Sequence, residues 1–181
     1  MSFPIETSRL LIRPFTRDAQ DVEALHAMLS DPEVMRYIGR PPSASVEETR
    51  ERLEIFIELH ERLGYSSWAV IEKSNGEIIG HCGVFPMELK GPDIELGYKI
   101  RRDCWNRGYA TESVRACLDY SFRELKFDRI VAVVFPENMA SRRVLEKCGM
   151  LENGVYVHHG IEGTFYEINR SRWPMNLSLS K

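Results

Sequence analysis

The sequence predicts an α+β fold, a mixed but mostly antiparallel sheet of about seven strands flanked by four helices. Three observations predict it. Strand-like alternation runs through residues 8–14, and runs at 66–72 and 77–85 are joined by Ser74-Asn75-Gly76, whose Asn-Gly pair suits a hairpin turn. From residue 93 the pattern becomes strand, helix, strand, helix, which implies strand–helix–strand units. Two more strand-like runs close the chain.

In order, the first strand is expected over 8–14, a strand-like run in which Leu10-Leu11-Ile12 stands between Arg9 and Arg13. A helix follows near 18–29, and Asp31-Pro32 opens a helical turn at 32–37. Pro41-Pro42-Ser43 is a loop leading to a long helix at 45–63, with Leu53, Phe56, Ile57 and His60 on its inner stripe. Its other positions carry six glutamates (Glu47, Glu48, Glu51, Glu54, Glu58, Glu61) with Arg50, Arg52 and Arg62 between them. Pairs such as Glu48–Arg52 and Glu58–Arg62 then make a solvated face. The hairpin comes next, then a central strand at 93–101 and a loop with helix over 104–125. In that helix Ala110, Val114, Cys117, Leu118, Ser121, Phe122 and Leu125 form a core-facing stripe. A strand at 128–134 ends near Pro136, a fourth helix covers 137–148, and Gly149 stops it as a left-handed cap. Strands at 151–159 and 164–172 finish the sheet.

The chain of 181 residues, 43% hydrophobic, is expected to form one domain, 1–181, without repeats or linkers. A net charge of −3 argues against a dedicated nucleic-acid binder. Met1 to Leu10 holds no apolar signal core, and no run approaches the ~20 residues of a membrane span, so a cytoplasmic location without membrane contact is expected. Cys82, Cys104, Cys117 and Cys148 lack ligand spacing and are expected as reduced, packed thiols. A strand points the adjacent His158 and His159 to opposite faces, and no metal is expected. Asn169-Arg170-Ser171 fits a glycosylation acceptor but carries no weight without a secretory signal.

The chemistry concentrates in two segments. Trp105-Asn106-Arg107-Gly108-Tyr109-Ala110-Thr111-Glu112 joins the central strand to a helix. Free first-turn N–H groups and the macrodipole make such a junction an anion site, with Gly108 allowing close backbone approach. Phosphate is the expected guest. The G-x-x-x-x-G-K-[ST] loop of kinases and the G-x-G-x-x-G of dinucleotide folds are both absent. A tight turn without ligand is the alternative. The second segment, Phe135 to Met150, carries Asn138, Ser141, Lys147 and Gly149. Taken alone, Asn138 reads as a helix cap and Ser141 as a solvated hydroxyl.

Both segments resemble the GNAT acetyltransferases. The first is similar to their pyrophosphate loop in its RimJ/RimL form, which usually reads Trp-Gly-Lys-Gly-Tyr-Ala-Thr-Glu. Here Arg107 keeps the positive charge, while Asn106 departs from glycine and must tolerate its backbone angle. The second resembles the family's Asn-x-x-Ser-x-x-x-x-x-Lys-x-Gly-Phe. Thr7-Ser8-Arg9-Leu10, Asp31-Pro32-Glu33-Val34, and Gly163 to Ile168 with Trp173 resemble its opening, its first inter-helix turn and its closing strand. The resemblance spans about residues 6–174.

It implies acetyl-CoA as cosubstrate and an amine as acceptor, the first choice being a protein N-terminal α-amine. The alternatives are a small amine (polyamine, amino acid or drug) and a CoA-binding module without catalysis. A monomer or homodimer is expected. The resemblance assigns Asn106, Arg107, Gly108, Tyr109, Ala110 and Thr111 to the pyrophosphate, and Tyr98, Lys99 and Ile100 to main-chain contacts with the pantetheine arm and thioester. Asn138 would bond the coenzyme, and Ser141 would face its sulfur as proton donor, with Tyr98, Tyr109 and Tyr166 in reserve. Glu95 takes the place of a general base, with Glu112 and Glu167 as rivals. Its alternative is a structural carboxylate paired with Arg129 or Arg143. The helix at 45–63 would wall the acceptor site, where its acids would attract a cationic amine.

Overall fold

A computed structural model describes residues 3–158 and 161–174. Among the described residues there are eight strands and five α-helices, against about seven and four expected. The strands are β1 (Ile5–Glu6), β2 (Leu10–Arg13), β3 (Ser67–Glu72), β4 (Ile78–Pro86), β5 (Ile94–Ile100), β6 (Arg129–Val134), β7 (Leu151–His158) and β8 (Ile161–Asn169). The helices are α1 (Ala19–Leu29), α2 (Pro32–Met35), α3 (Val46–Leu63), α4 (Tyr109–Arg123) and α5 (Met139–Lys147). The strands form one sheet in the order β1-β2-β3-β4-β5-β6-β8-β7, antiparallel except for the parallel neighbours β5 and β6.

Alternation along β3 divides the core into two layers. Trp68 and Val70 face a cluster containing Val114, Leu118 and Phe122 of α4 and Leu145 of α5. Ala69 faces the opposite side, packed with Leu25 and Met28 of α1 and Leu53 and Ile57 of α3. Of the expected stripe, Val114, Cys117, Leu118, Ser121 and Phe122 are buried, while Ala110 and Leu125, the latter just past α4, are half-buried against the same cluster.

The extra strand is β1, which folds back on β2 through Thr7-Ser8-Arg9. The closing strand was expected at 164–172 but occupies Ile161–Asn169. Arg170–Arg172 form a 3-10 turn, and the Arg170 N–H reaches the Asp128 carbonyl at 2.8 Å. His159, and the side chain of His158, lie outside the described residues. The four cysteines are free and buried. No helix among the described residues is long and apolar enough to cross a membrane.

One irregularity positions the site. The β5–β6 ladder holds a single pair, Glu95↔Val131, so the strands part beyond Glu95. The Arg101 N–H bonds the Ile79 carbonyl, which sets the alternation along β5. Main-chain groups of Gly97 and Lys99 turn toward β4. Those of Tyr98 and Ile100 turn toward the gap.

Candidate functional site

The loop before α4 adopts the conformation its residues favour. Asn106 is left-handed at φ 61° and Gly108 at φ 83°. Gly108 is the N-cap of α4 and contributes no side chain, so the first-turn N–H groups of this 15-residue helix carry no side-chain cap. Arg9 braces the loop from the first hairpin: its Nη1 donates to the Arg107 carbonyl at 2.9 Å, and its guanidinium lies 4.5 Å from the Tyr109 ring centroid. The Trp105 indole donates to the Ile100 carbonyl at 2.7 Å, tying the loop to the open edge of β5. An uncapped helix start, left-handed glycine and free β5 N–H groups fit a phosphate with an extended arm. Lys99 is the exception among the three expected main-chain contacts, because its N–H belongs to β4.

A cavity of about 530 Å³ opens between β5, β6 and the α1–α3 layer. It brings together Glu95, Tyr98, Lys99, Asn138 and Ser141. Ile100 and residues 106–111 lie outside its lining. The Tyr98 hydroxyl and Ser141 Oγ are 2.6 Å apart, and burial pushes the Tyr98 phenol well up, holding it protonated. Asn138 caps α5, its Oδ1 accepting the Ser141 N–H at 3.1 Å. The capping reading of Asn138 is thus correct, and its Nδ2 donates to no described residue.

Glu95 makes no hydrogen bond or ion pair with a described residue. Burial chiefly, then repulsion from Glu88, raises its carboxyl from 4.5 to about 7, against a smaller lowering by Lys99. Its proposed structural partner Arg129 instead pairs with Asp93 and Glu167, at 3.4 and 2.9 Å. Gly97 separates Glu95 from Lys99 on the same strand face, and a Cβ there would meet the Phe85 ring at 2.9 Å.

The rival groups are committed elsewhere. Glu112 clasps the first hairpin, accepting from the Thr7 hydroxyl at 2.6 Å, the Arg9 N–H at 3.0 Å and Arg9 Nε at 2.7 Å. Burial pushes its carboxyl up, but these bonds together hold it below the ordinary value. Glu167 is paired with Arg129. The Tyr109 hydroxyl bonds Glu72 on β3, and the Tyr166 hydroxyl accepts from Arg142 Nε at 3.1 Å. Neither tyrosine lines the cavity.

The acidic wall expected of α3 is a correction. Glu54 and Glu61 turn outward to Arg17, while the residues α3 presents to the cavity are Arg52, Ile55, Phe56 and Leu59. Helical phase decides this: the acids fill the face opposite the inner stripe. The Glu48–Arg52 pair forms at 2.5 Å, whereas no ion pair joins Glu58 to Arg62. Sequence reasoning missed Arg40, Arg52, His81 and Glu88 as lining residues. No local signal marks them, because four separate elements bring them together.

Residues 9–151 match the acetyltransferase (GNAT) domain. The chain is 36% identical over 169 residues to the uncharacterized N-acetyltransferase YoaA of Bacillus subtilis (strain 168), covering 92% of this chain and 94% of that one. It is 35% identical over 145 residues to YkkB of the same organism, covering 80% and 83%. Among solved structures, an acetyltransferase (GNAT family) from Bacillus anthracis superposes with a TM-score of 0.79 at 31% identity, covering 94% of this chain and all of that one.

Proposed function

The chain belongs to the GNAT acetyltransferase family, and we propose that this N-acetyltransferase moves the acetyl group of acetyl-CoA directly onto a primary amine, first of all a protein N-terminal α-amine. The RimJ/RimL branch is the nearest fit, on Trp105 and the loop that follows it. Acetyl-CoA supplies an activated acetyl group and a thiolate as leaving group. The α4 N-terminus and Asn106 to Thr111 hold the pyrophosphate. The Tyr98 and Ile100 N–H groups bind the arm and the thioester oxygen. Glu95 takes the ammonium proton, directly or through water. As the N–C bond forms and the C–S bond breaks, the Tyr98–Ser141 hydroxyl pair gives the sulfur a proton; the second proton leaving the nitrogen restores that pair through water, and Glu95 passes the first to solvent.

The observation that carries this reading is Glu95, a carboxyl recessed in the cavity, raised to about 7 and without a hydrogen bond or ion pair to a described residue. An unpaired buried carboxylate costs stability, which supports a catalytic role over a CoA-binding module without turnover. Its strength also bears on the acceptor. At pH 7 an α-amine of pKa ~7.8 loses its proton for about 1 kcal/mol, whereas a lysine amine at ~10.4 needs nearly 5 kcal/mol. A base near 7 suits the first.

The test is kcat/KM against pH for the parent and Glu95→Gln, with a peptide free at its α-amine and the same peptide blocked there but free at a lysine. The parent should prefer the α-amine, and its rate should rise through about pH 7. Glu95→Gln should lose ~10²–10⁴ in rate, the deficit shrinking at high pH where the amine arrives neutral. A uniform deficit at every pH, or full activity at pH 7, would remove Glu95 from the mechanism. Preference for the lysine amine would overturn the acceptor assignment.

A further inference from the structure

The cavity is charged at both ends, and the signs differ. Glu95 and Glu88 mark one end. Four residues along the same face of β5, about 13 Å by strand rise, Lys99 marks the other. Arg52 of α3 and Arg40 of the α2–α3 connection join Lys99 there. Counter-charge is scarce. Lys99 and the exposed Arg40 form no ion pair with a described residue, and Glu48, itself partly exposed, serves both Arg52 and, at longer range, Arg40. Burial first, then Arg40 and Arg52, pushes the Lys99 amine down to about 8, with Glu95 opposing. Like charges gathered in a recess repel one another, and an anion relieves that repulsion.

A second observation points the same way. His81 lies opposite Lys99 in the β4–β5 register and lines the cavity. It is 3% exposed, its Nδ1 lies 2.7 Å from Ser67 Oγ, and its buried Nε2 has no partner among the described residues. Burial chiefly, with Lys99, keeps the ring neutral. When Ser67 donates to Nδ1, Nε2 carries the hydrogen and is an unused donor in the wall beside Lys99. An orphaned buried donor is a cost that a bound acceptor oxygen removes.

We propose that the acceptor carries, besides its primary amine, a carboxylate or similar anion set back from the nitrogen by a side chain. The anion is held by Lys99, Arg52 and Arg40 with His81 while the amine meets Glu95. This rests on the acetyl-transfer reading above and narrows its substrate. An α-amine followed by an acidic residue has this chemistry, and so does a free acidic amino acid. A polyamine does not: its second cation would sit among three others.

The experiment measures CoA release by the intact protein. The acceptors are matched peptides with Glu, Gln or Lys after the N-terminal residue, and free glutamate beside glutamine. The acidic member of each set should exceed the neutral one by ~10-fold or more in kcat/KM, as expected for charge-assisted hydrogen bonds in a recess. The lysine peptide should be poorest. Whichever set turns over faster identifies the source. Lys99→Met should bring the acidic-to-neutral ratio toward one, chiefly through KM, and Lys99→Glu should favour the lysine peptide. Arg52→Met gives the same ratio readout from α3 if the β5 variants do not fold. Preference for neutral or cationic acceptors, or a ratio unmoved by these substitutions, overturns the proposal while acetyl transfer stands. No turnover with any amine overturns both.

Discussion

Between Trp105 and Glu112 the site is made of neighbours in sequence, with two left-handed residues, an uncapped helix start and an indole tied back to the preceding strand. The cavity floor is made instead from Arg40, Arg52, His81, Glu88, Glu95 and Lys99, contributed by connections and by elements that meet only in the fold. The first region gains from its conformation, since its donors are exposed and its bends are ones that Asn and Gly accept. The second is kept at a cost: Glu95 and Lys99 sit recessed with no ion pair among the described residues, and His81 is buried. A fold tolerates such a cost where binding or chemistry uses it.

Replacing Glu95 tests that contrast with the largest effect, because the same substitution should damage activity and improve stability. The carboxyl is raised from 4.5 unfolded to about 7 folded, so the fold favours its protonated form. Its stability contribution is full below about pH 4.5 and is lost as pH rises through about 7. Glu95→Gln should therefore match the parent near the lower limit and exceed it near pH 8 by up to ~3 kcal/mol. Urea unfolding at both pH values reads this directly. Equal stability at both would mean that the carboxylate is solvated, and the contrast between the two regions would fail.

Gly108→Val attacks the other region. A β-branched residue at φ 83° is strained by ~1–2 kcal/mol or more, and its Cβ would lie 3.4 Å from Arg9 Nη2, pressing on the brace of the loop. CoA binding measured by calorimetry should weaken by ~10-fold or more. Gly108→Asn, which tolerates the left-handed region, should retain most of it. Unchanged binding by Gly108→Val would detach the phosphate from this loop.

The same contrast explains what could be read before folding. Asn106 and Gly108 were legible because their backbone angles follow from their own side chains. The α4 stripe was legible because helical period and burial agree. The place of Glu95 on the central strand was legible, but its raised carboxyl was not, since burial in the folded cavity causes it first and Glu88 across a turn second. Lys99 was read for its main chain, yet pleat alternation gives its N–H to β4 and its side chain to the cavity. Arg52 was correctly paired with Glu48, and nothing within α3 announced that this pair borders β5. Ile5–Glu6 is too short to show a period, and its turn is pinned by Glu112, more than 100 residues away.

Asn138 gives the smallest effect and lines the cavity from the start of α5. Its Oδ1 caps α5 through the Ser141 N–H, and capping alone would explain the residue. Asn138→Ala should lose about 1 kcal/mol of stability from the cap. If Nδ2 also serves the coenzyme, the acetyl-CoA KM should rise as well. Asn138→Asp separates these effects, because a carboxylate still caps and suits the helix dipole but cannot donate. The expected outcome is parent-like stability with a raised KM, by a factor of a few, as for one hydrogen bond. Ser141→Ala should instead lower kcat with less change in KM, since its hydroxyl pairs with Tyr98 at the proposed proton-return step. A normal KM in Asn138→Asp would leave that residue as a cap alone. A normal kcat in Ser141→Ala would leave Tyr98 to protonate the sulfur unaided, and the open edge of β5 would carry the coenzyme without help from α5.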